Sequence, residues 1–174
     1  MIQRKIQTPI GEMIAIASDE ALWLLEFADR RGLPGQRKAL ARLVPDEPRE
    51  GHNEVLRRVE AQLVEYFAGA RREFELPMRM DGSEFQREAW SALLRIPFGE
   101  TRSYAQQAAL LERPEAVRAV ARANGENRLA VVVPCHRVVG ADGRLTGYGG
   151  GLHRKRWLLD HELRHAGAEV LLRA

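Results

Sequence analysis

Apolar and polar positions alternate in short runs at the start of the chain. Residues 13–17 and 21–27 are apolar runs separated by Ser18, Asp19 and Glu20, and Thr8, Pro9, Ile10 and Gly11 mark an earlier turn. That pattern predicts a small antiparallel sheet over residues 2–28. Residues 29–50 hold Gly32, Pro34, Gly35, Pro45 and Pro48, which predicts loop around a short helix near 36–43. From 54 to 68 the apolar positions Val55, Leu56, Val59, Leu63, Tyr66 and Phe67 fall at helical spacing, and Gly69 ends the run. Residues 74–76 predict one more short strand, and 77–82 a linker between two halves.

The second half changes period. Ser83 and Gln86 have capping-box spacing, and Phe85, Ala89, Trp90, Leu93 and Leu94 make one apolar face of a helix. A turn is expected at 97–100. Ser103 and Gln106 form a second box, opening a short helix to about 111. Pro114 breaks that helix and suits the first turn of the next, over 115–124. Helix, short turn, helix is the helix-turn-helix pattern. Alanines make the second helix slim, and Arg118 and Arg122 lie one turn apart on one face, as a helix entering a nucleic-acid groove requires. An ordinary alanine-rich surface helix is the alternative. The β-branched run Val131, Val132, Val133 predicts a buried strand that Pro134 ends. Residues 140–143 predict a hairpin turn, and 152–165 a final helix.

Composition narrows the class. A chain of 174 residues with 45% hydrophobic content suits one domain or two small ones with a real core. One cysteine excludes an internal disulfide framework and any multi-cysteine zinc site, and fits a reducing compartment. No apolar run approaches the ~18 residues of a membrane span, and the N-terminus carries no signal-peptide h-region. A soluble, cytoplasmic protein without membrane contact is expected. Charge is uneven: residues 1–80 balance 13 basic against 13 acidic side chains, whereas 101–157 carry 10 basic and 4 acidic, net +6. Nearly all are arginine, which suits phosphate contact, so a polyanion partner is expected; a solvated surface is the alternative.

Candidate chemistry centres on Cys135, followed at once by His136 and Arg137. Positive charge nearby, or a base within reach, favours the reactive thiolate. On a regular strand Cys135 and His136 would point to opposite faces, so a working pair requires the chain to coil after Pro134. The alternative is a buried, inert cysteine beside a surface histidine. Gly147, Gly149, Gly150 and Gly151 around Tyr148 match neither a Walker loop nor a dinucleotide fingerprint, but let backbone approach a flat ligand closely. Residues 161–165 fit the His-Glu-x-x-His zinc pattern. A catalytic zinc needs a third protein ligand. Only Glu169 follows, and His52, His136 and His153 would have to fold back, so no metal is expected. His52 sits in a loop and is read as incidental.

Taken together, the second half resembles the O6-alkylguanine-DNA alkyltransferases, the methylated-DNA–protein-cysteine methyltransferases, from about Phe85 to Glu162. The resemblance is carried by Phe85-Gln86, by Pro97-Phe98-Gly99-Glu100-Thr101-Arg102-Ser103-Tyr104 and by Arg118-Ala119-Val120. Ala123-Asn124-Gly125-Glu126-Asn127, Pro134-Cys135-His136-Arg137-Val138-Val139 and Leu145-Thr146-Gly147-Tyr148-Gly149-Gly150-Gly151-Leu152 continue it. Arg156-Trp157-Leu158-Leu159 and Glu162 close it, and Thr8-Pro9-Ile10-Gly11 matches more weakly in the first half. The resemblance implies an α/β fold class: a small ribonuclease H-like α/β domain over 1–80, then a mostly helical, winged-helix-like domain over 81–174.

It also implies single-turnover transfer of a methyl or alkyl group from O6-alkylguanine in double-stranded DNA to Cys135, with no cofactor, by a monomer. His136 would take the thiol proton through a water, Glu162 would orient that histidine, Asn127 would hold the turn, and Tyr104 would donate to O6. Val133, Val138, Tyr148, Gly149 and Gly150 would line the guanine pocket. Arg118 would fill the gap left by a flipped base while the slim helix enters the minor groove. Ala119, Arg122, Asn124, Arg102 and Arg137 would complete the DNA contact. Arg128 stands where the family usually has proline, and Gly149 where some members have serine. A non-catalytic lesion-binding protein is the alternative function; relatives of that kind replace the cysteine by tryptophan.

Overall fold

β1 (Ile2–Thr8) and β2 (Gly11–Ala17) pair antiparallel from Ile2 against Ala17 to Thr8 against Gly11, and Gly11 closes the turn at φ 122°. The computed structural model describes residues 1–44 and 46–167. These divide into two compact units, 1–80 with 128–130, and 81–127 with 131 onward. In the first unit β3 (Leu22–Phe27) pairs antiparallel with β2, and β4 (Arg49–Glu50) lies parallel to β1. The described sheet therefore has the order β3-β2-β1-β4.

Helices cover this sheet because β2 and β3 are nearly continuous apolar runs that must be buried. α1 (Leu33–Ala41) buries Leu33 and Leu40 with Ile16 and Leu24. It begins earlier than the sequence suggests, since Pro34 sits in its first turn, where the missing N–H is not needed. α2 (Glu54–Phe67) packs on β1 and β2 through a buried stripe that includes Val55, Leu56, Val59, Leu63 and Tyr66. Asn53 caps it, accepting the Leu56 N–H at 2.9 Å while donating to Ser18 O at 2.8 Å. The strand expected at 74–76 does not form. Gln62 supplies what a neighbouring strand would: it accepts the Glu75 N–H at 2.8 Å and donates to Glu75 O at 3.1 Å.

In the second unit α3 (Glu84–Leu93), α4 (Tyr104–Leu110) and α5 (Val117–Gly125) pack on one another. Both capping boxes form as the sequence predicts, at Ser83 with Gln86 and at Ser103 with Gln106. Buried polar groups fix the three-helix arrangement. Trp90 Nε1 donates to Ala123 O at 2.8 Å. Gln107 and Asn124 exchange amide bonds at 2.7 and 3.2 Å, and Gln107 also donates to Ala89 O at 3.0 Å. The valine run is not a strand. Val131 takes φ 72°, so residues 130–133 form a buried turn instead. The hairpin turn closes, with Gly143 N–H on Gly140 O at 2.9 Å, but no returning strand follows among the described residues. β5 (Arg102–Ser103) instead pairs parallel with β6 (Val138–Val139), and α6 (Leu152–Ala166) follows. No described helix is long and apolar enough to cross a membrane.

The Gln107–Asn124 exchange gives a stability prediction. Gln107→Leu leaves the buried Asn124 amide without its partner, which costs about 1–3 kcal/mol. Urea unfolding should show an unfolding free energy smaller by that amount and a lowered midpoint; an unchanged midpoint would mean that the clasp does not hold α4 to α5.

Candidate active site

After Pro134 the chain coils, as a working cysteine–histidine pair requires. Residues Cys135–Arg137 form one 3₁₀ turn, with Cys135 N–H on Val133 O at 2.8 Å and Arg137 N–H on Pro134 O at 3.0 Å. Asn127 spans this turn. Its Nδ2 donates to Val133 O at 2.9 Å and to Cys135 Sγ at 3.3 Å. A donor aimed at sulfur favours the thiolate over the thiol.

His136 is fully buried, and its Nε2 lies 2.8 Å from Glu162 Oε1. An ionised carboxylate only accepts, so Nε2 carries the hydrogen and Nδ1 keeps its lone pair. Nδ1 meets no hydrogen-bonding group among the described residues. Burial pushes the imidazole pKa down, Glu162 pulls it up, and Arg137 and Lys155 push it down; the net is below the usual histidine range. Glu162 behaves oppositely. Burial opposes its ionisation, but His136 and Arg137 outweigh that and hold the carboxyl well below its usual range.

Arg137 was expected on DNA, and the structure corrects this. It is buried, with Nε and Nη2 each 2.9 Å from a Glu162 oxygen and Nη1 2.6 Å from Ile96 O. Glu162 Oε2 also accepts the Gly99 N–H at 3.1 Å. The zinc pattern is occupied otherwise: His161 stacks on Trp157 at 4.9 Å, and the His161 and His165 rings are 4.4 Å apart. Glu169 lies outside the described residues.

Cys135 opens into a cavity of about 400 Å³, lined also by Tyr104, by Arg118 on α5, and by Thr146, Gly147, Tyr148 and Gly149. The Tyr104 hydroxyl donates to Thr146 O at 3.0 Å, and burial, the largest influence, raises its pKa. Tyr148 and Gly149 are thus walls of this cavity. Val133, Val138 and Gly150 are buried and are not walls of this cavity. They serve through backbone carbonyls instead, to Asn127, Lys155 and Arg154 respectively. Arg118, Ala119 and Arg122 are exposed on α5, with Arg122 paired to Glu126. Arg102 is half-buried against Glu100 at 2.8 Å. Asn124 borders the cavity, but its amide is spent on Gln107, so the DNA contact expected of it is also corrected.

Sequence reasoning missed Lys155. Its side chain is fully buried, and Nζ donates to Val138 O, Thr146 O and Gly147 O at 2.5, 2.9 and 3.4 Å. It thereby fastens the cavity loop to β6. Burial lowers its pKa to about 8, against a smaller opposing pull from Cys135. A signal existed: Lys155, Leu158 and Glu162 follow helical spacing and share the buried stripe of α6.

The chain matches two family models in tandem. Residues 1–80 match the 6-O-methylguanine DNA methyltransferase ribonuclease-like domain, and 84–164 the DNA binding domain of the same name. It is 44% identical over 169 residues to a methylated-DNA–protein-cysteine methyltransferase of Mycolicibacterium paratuberculosis, covering 97% of this chain and 96% of the relative. The crystal structure of Mycobacterium tuberculosis O6-methylguanine methyltransferase superposes with a TM-score of 0.83 at 39% identity, covering 99% of both chains. The Mycobacterium tuberculosis protein in complex with DNA gives 0.83 at 38% identity over the full length of both.

Lys155 yields a pH prediction. Its folded pKa, about 8, lies below the ordinary lysine value of 10.5. Between those limits the unfolded chain binds more protons, so stability rises with pH. Wild type should therefore gain unfolding free energy relative to Lys155→Met as pH climbs from about 8 towards 10.5. A difference that stays flat with pH would mean that this ammonium is not buried at a cost.

Proposed function

On the premise that the chain belongs to the 6-O-methylguanine DNA methyltransferase family, we propose that Cys135, His136, Glu162, Asn127 and Tyr104 carry out its chemistry. The protein repairs DNA by direct reversal, moving the alkyl group of O6-alkylguanine onto its own cysteine. Its partner is DNA. A reducing, cytoplasmic setting suits the one nucleophilic thiol, and each molecule acts once, as a monomer.

The observation that carries the residue assignment is the buried Nδ1 lone pair of His136, the residue after Cys135 in the same turn, with Nε2–H committed to Glu162. That imidazole can take the thiol proton, through a water, and Glu162 balances the resulting charge. The Cys135 sulfur then attacks the O6-alkyl carbon. An S–C bond forms as the C–O bond breaks, and the electron pair leaves on the guanine oxygen. Tyr104, held protonated by its raised pKa, donates a proton to the departing guanine. The base must leave the stack to reach this cavity, because a duplex hides the attacked carbon. Arg118, exposed at the cavity edge, fills the gap while α5 lies in the minor groove and Ala119 and Arg122 run along it.

Incubation with DNA containing O6-methylguanine should add one methylene equivalent, about 14 Da, to the intact protein mass, and Cys135→Ala should abolish the gain. Tight binding without any mass change would leave only lesion recognition. Arg118→Ala should slow reaction on duplex DNA at least tenfold more than on the base O6-benzylguanine in solution, about 1.4 kcal/mol of differential barrier. Equal losses on both substrates would remove the finger role.

A further inference from the structure

Resting on the reading above, we infer that Arg137 is a positioning residue of the reaction: it claims the charge of Glu162, so that His136 rests as an uncharged imidazole able to take the thiol proton. A histidine hydrogen-bonded to a buried carboxylate with no other counter-charge would rest as imidazolium. An imidazolium has no lone pair to offer Cys135.

The geometry prevents that outcome. Arg137 meets both oxygens of Glu162 in a two-point fork at 2.9 Å each, whereas His136 reaches one oxygen. The guanidinium cannot shed its proton, so the carboxylate is matched by a permanent positive charge. The fork is fixed on its far side by Ile96 O at 2.6 Å and by the Phe98 ring at 5.8 Å. Glu162 keeps the orienting bond to Nε2; burial disfavours a charged ring, and Arg137 opposes part of the carboxylate's pull on it. The other charges facing His136 point the same way. Lys155, from α6, adds a second positive group. α3, which also packs on this turn, buries Ala89, Trp90, Ala92 and Leu93, all apolar. A proton arriving on His136 at rest would therefore make a third buried cation beside a single buried carboxylate.

The test reads His136 itself, by NMR titration of its ring in the full chain from pH 5 to 9. Wild type should stay uncharged through neutrality. Arg137→Gln keeps a donor near Glu162 but removes the charge, and should raise the His136 midpoint by about one to three pH units. Its alkylation rate with O6-benzylguanine should then gain an acid limb at that midpoint and recover above it. Arg137→Lys, which keeps the charge, should restore the uncharged ring. An Arg137→Gln midpoint equal to wild type overturns the inference, as does a rate lowered equally at all pH values. If Arg137→Gln does not fold, Arg137→Gln/Glu162→Gln removes both charges together and should keep His136 uncharged over the same range. A double variant whose histidine titrates near neutrality also overturns it. The titration moves whether or not Cys135 accepts an alkyl group, so absence of alkylation in wild type would count against the function and not against the role of Arg137.

Discussion

Four donors converge on the Glu162 carboxylate: His136 Nε2, Arg137 Nε and Nη2, and the Gly99 N–H. Burying an ion costs several kcal/mol, recovered only when its lone pairs are met with good geometry. Here they are met by groups from the nucleophile turn and from the loop after α3, while the carboxylate comes from α6. Loss of one partner from such a buried set costs about 3–5 kcal/mol. The three segments are therefore held to one arrangement, and the reactive turn inherits that rigidity. The group that locks the second unit also fixes the tautomer of His136.

The turn itself is held against its own preferences. Val131 sits at φ 72°, where a β-branched residue is strained by about 1–3 kcal/mol. Neighbouring bonds overdetermine it. Leu25 N–H binds Arg128 O, Ala130 N–H binds Leu25 O, both at 2.8 Å, and Asn127 holds Val133 O at 2.9 Å. Arg128 contributes here through its backbone carbonyl, a group that arginine and proline both have. The strain turns the chain so that Cys135 faces a cavity and not a sheet.

That cavity joins two kinds of wall. α5 presents Val117, Arg118 and Ala121, and the loop presents Thr146, Gly147, Tyr148 and Gly149. Small residues on the helix permit close approach to a nucleic-acid groove, and glycines let carbonyls and N–H groups face a flat base. Lys155 and Tyr104 both bind the carbonyls of Thr146 and Gly147, so the loop is positioned from below by an ammonium and from the side by a phenol. The Gln107–Asn124 clasp then keeps α4, which carries Tyr104, in register with α5.

Local rules decided much of this in advance. The two capping boxes, the apolar stripe of α2, the coiling needed at Pro134 and the single nucleophile were all legible, because each depends on neighbours within a few residues. Three features were not. The valine run reads as a strand by propensity, yet Val131 at φ 72° makes it a turn. Residues 74–76 read as a strand, yet Gln62 takes its backbone groups. Arg137 and Asn124 read as surface contacts, yet both are turned inward by partners far along the chain, Glu162 and Gln107. The sequence by itself determined which atom reacts and which helices flank it. Only the tertiary structure decided which charges meet underground, because a buried ion pair is set by which distant side chains reach the same small volume and not by any periodicity along the chain.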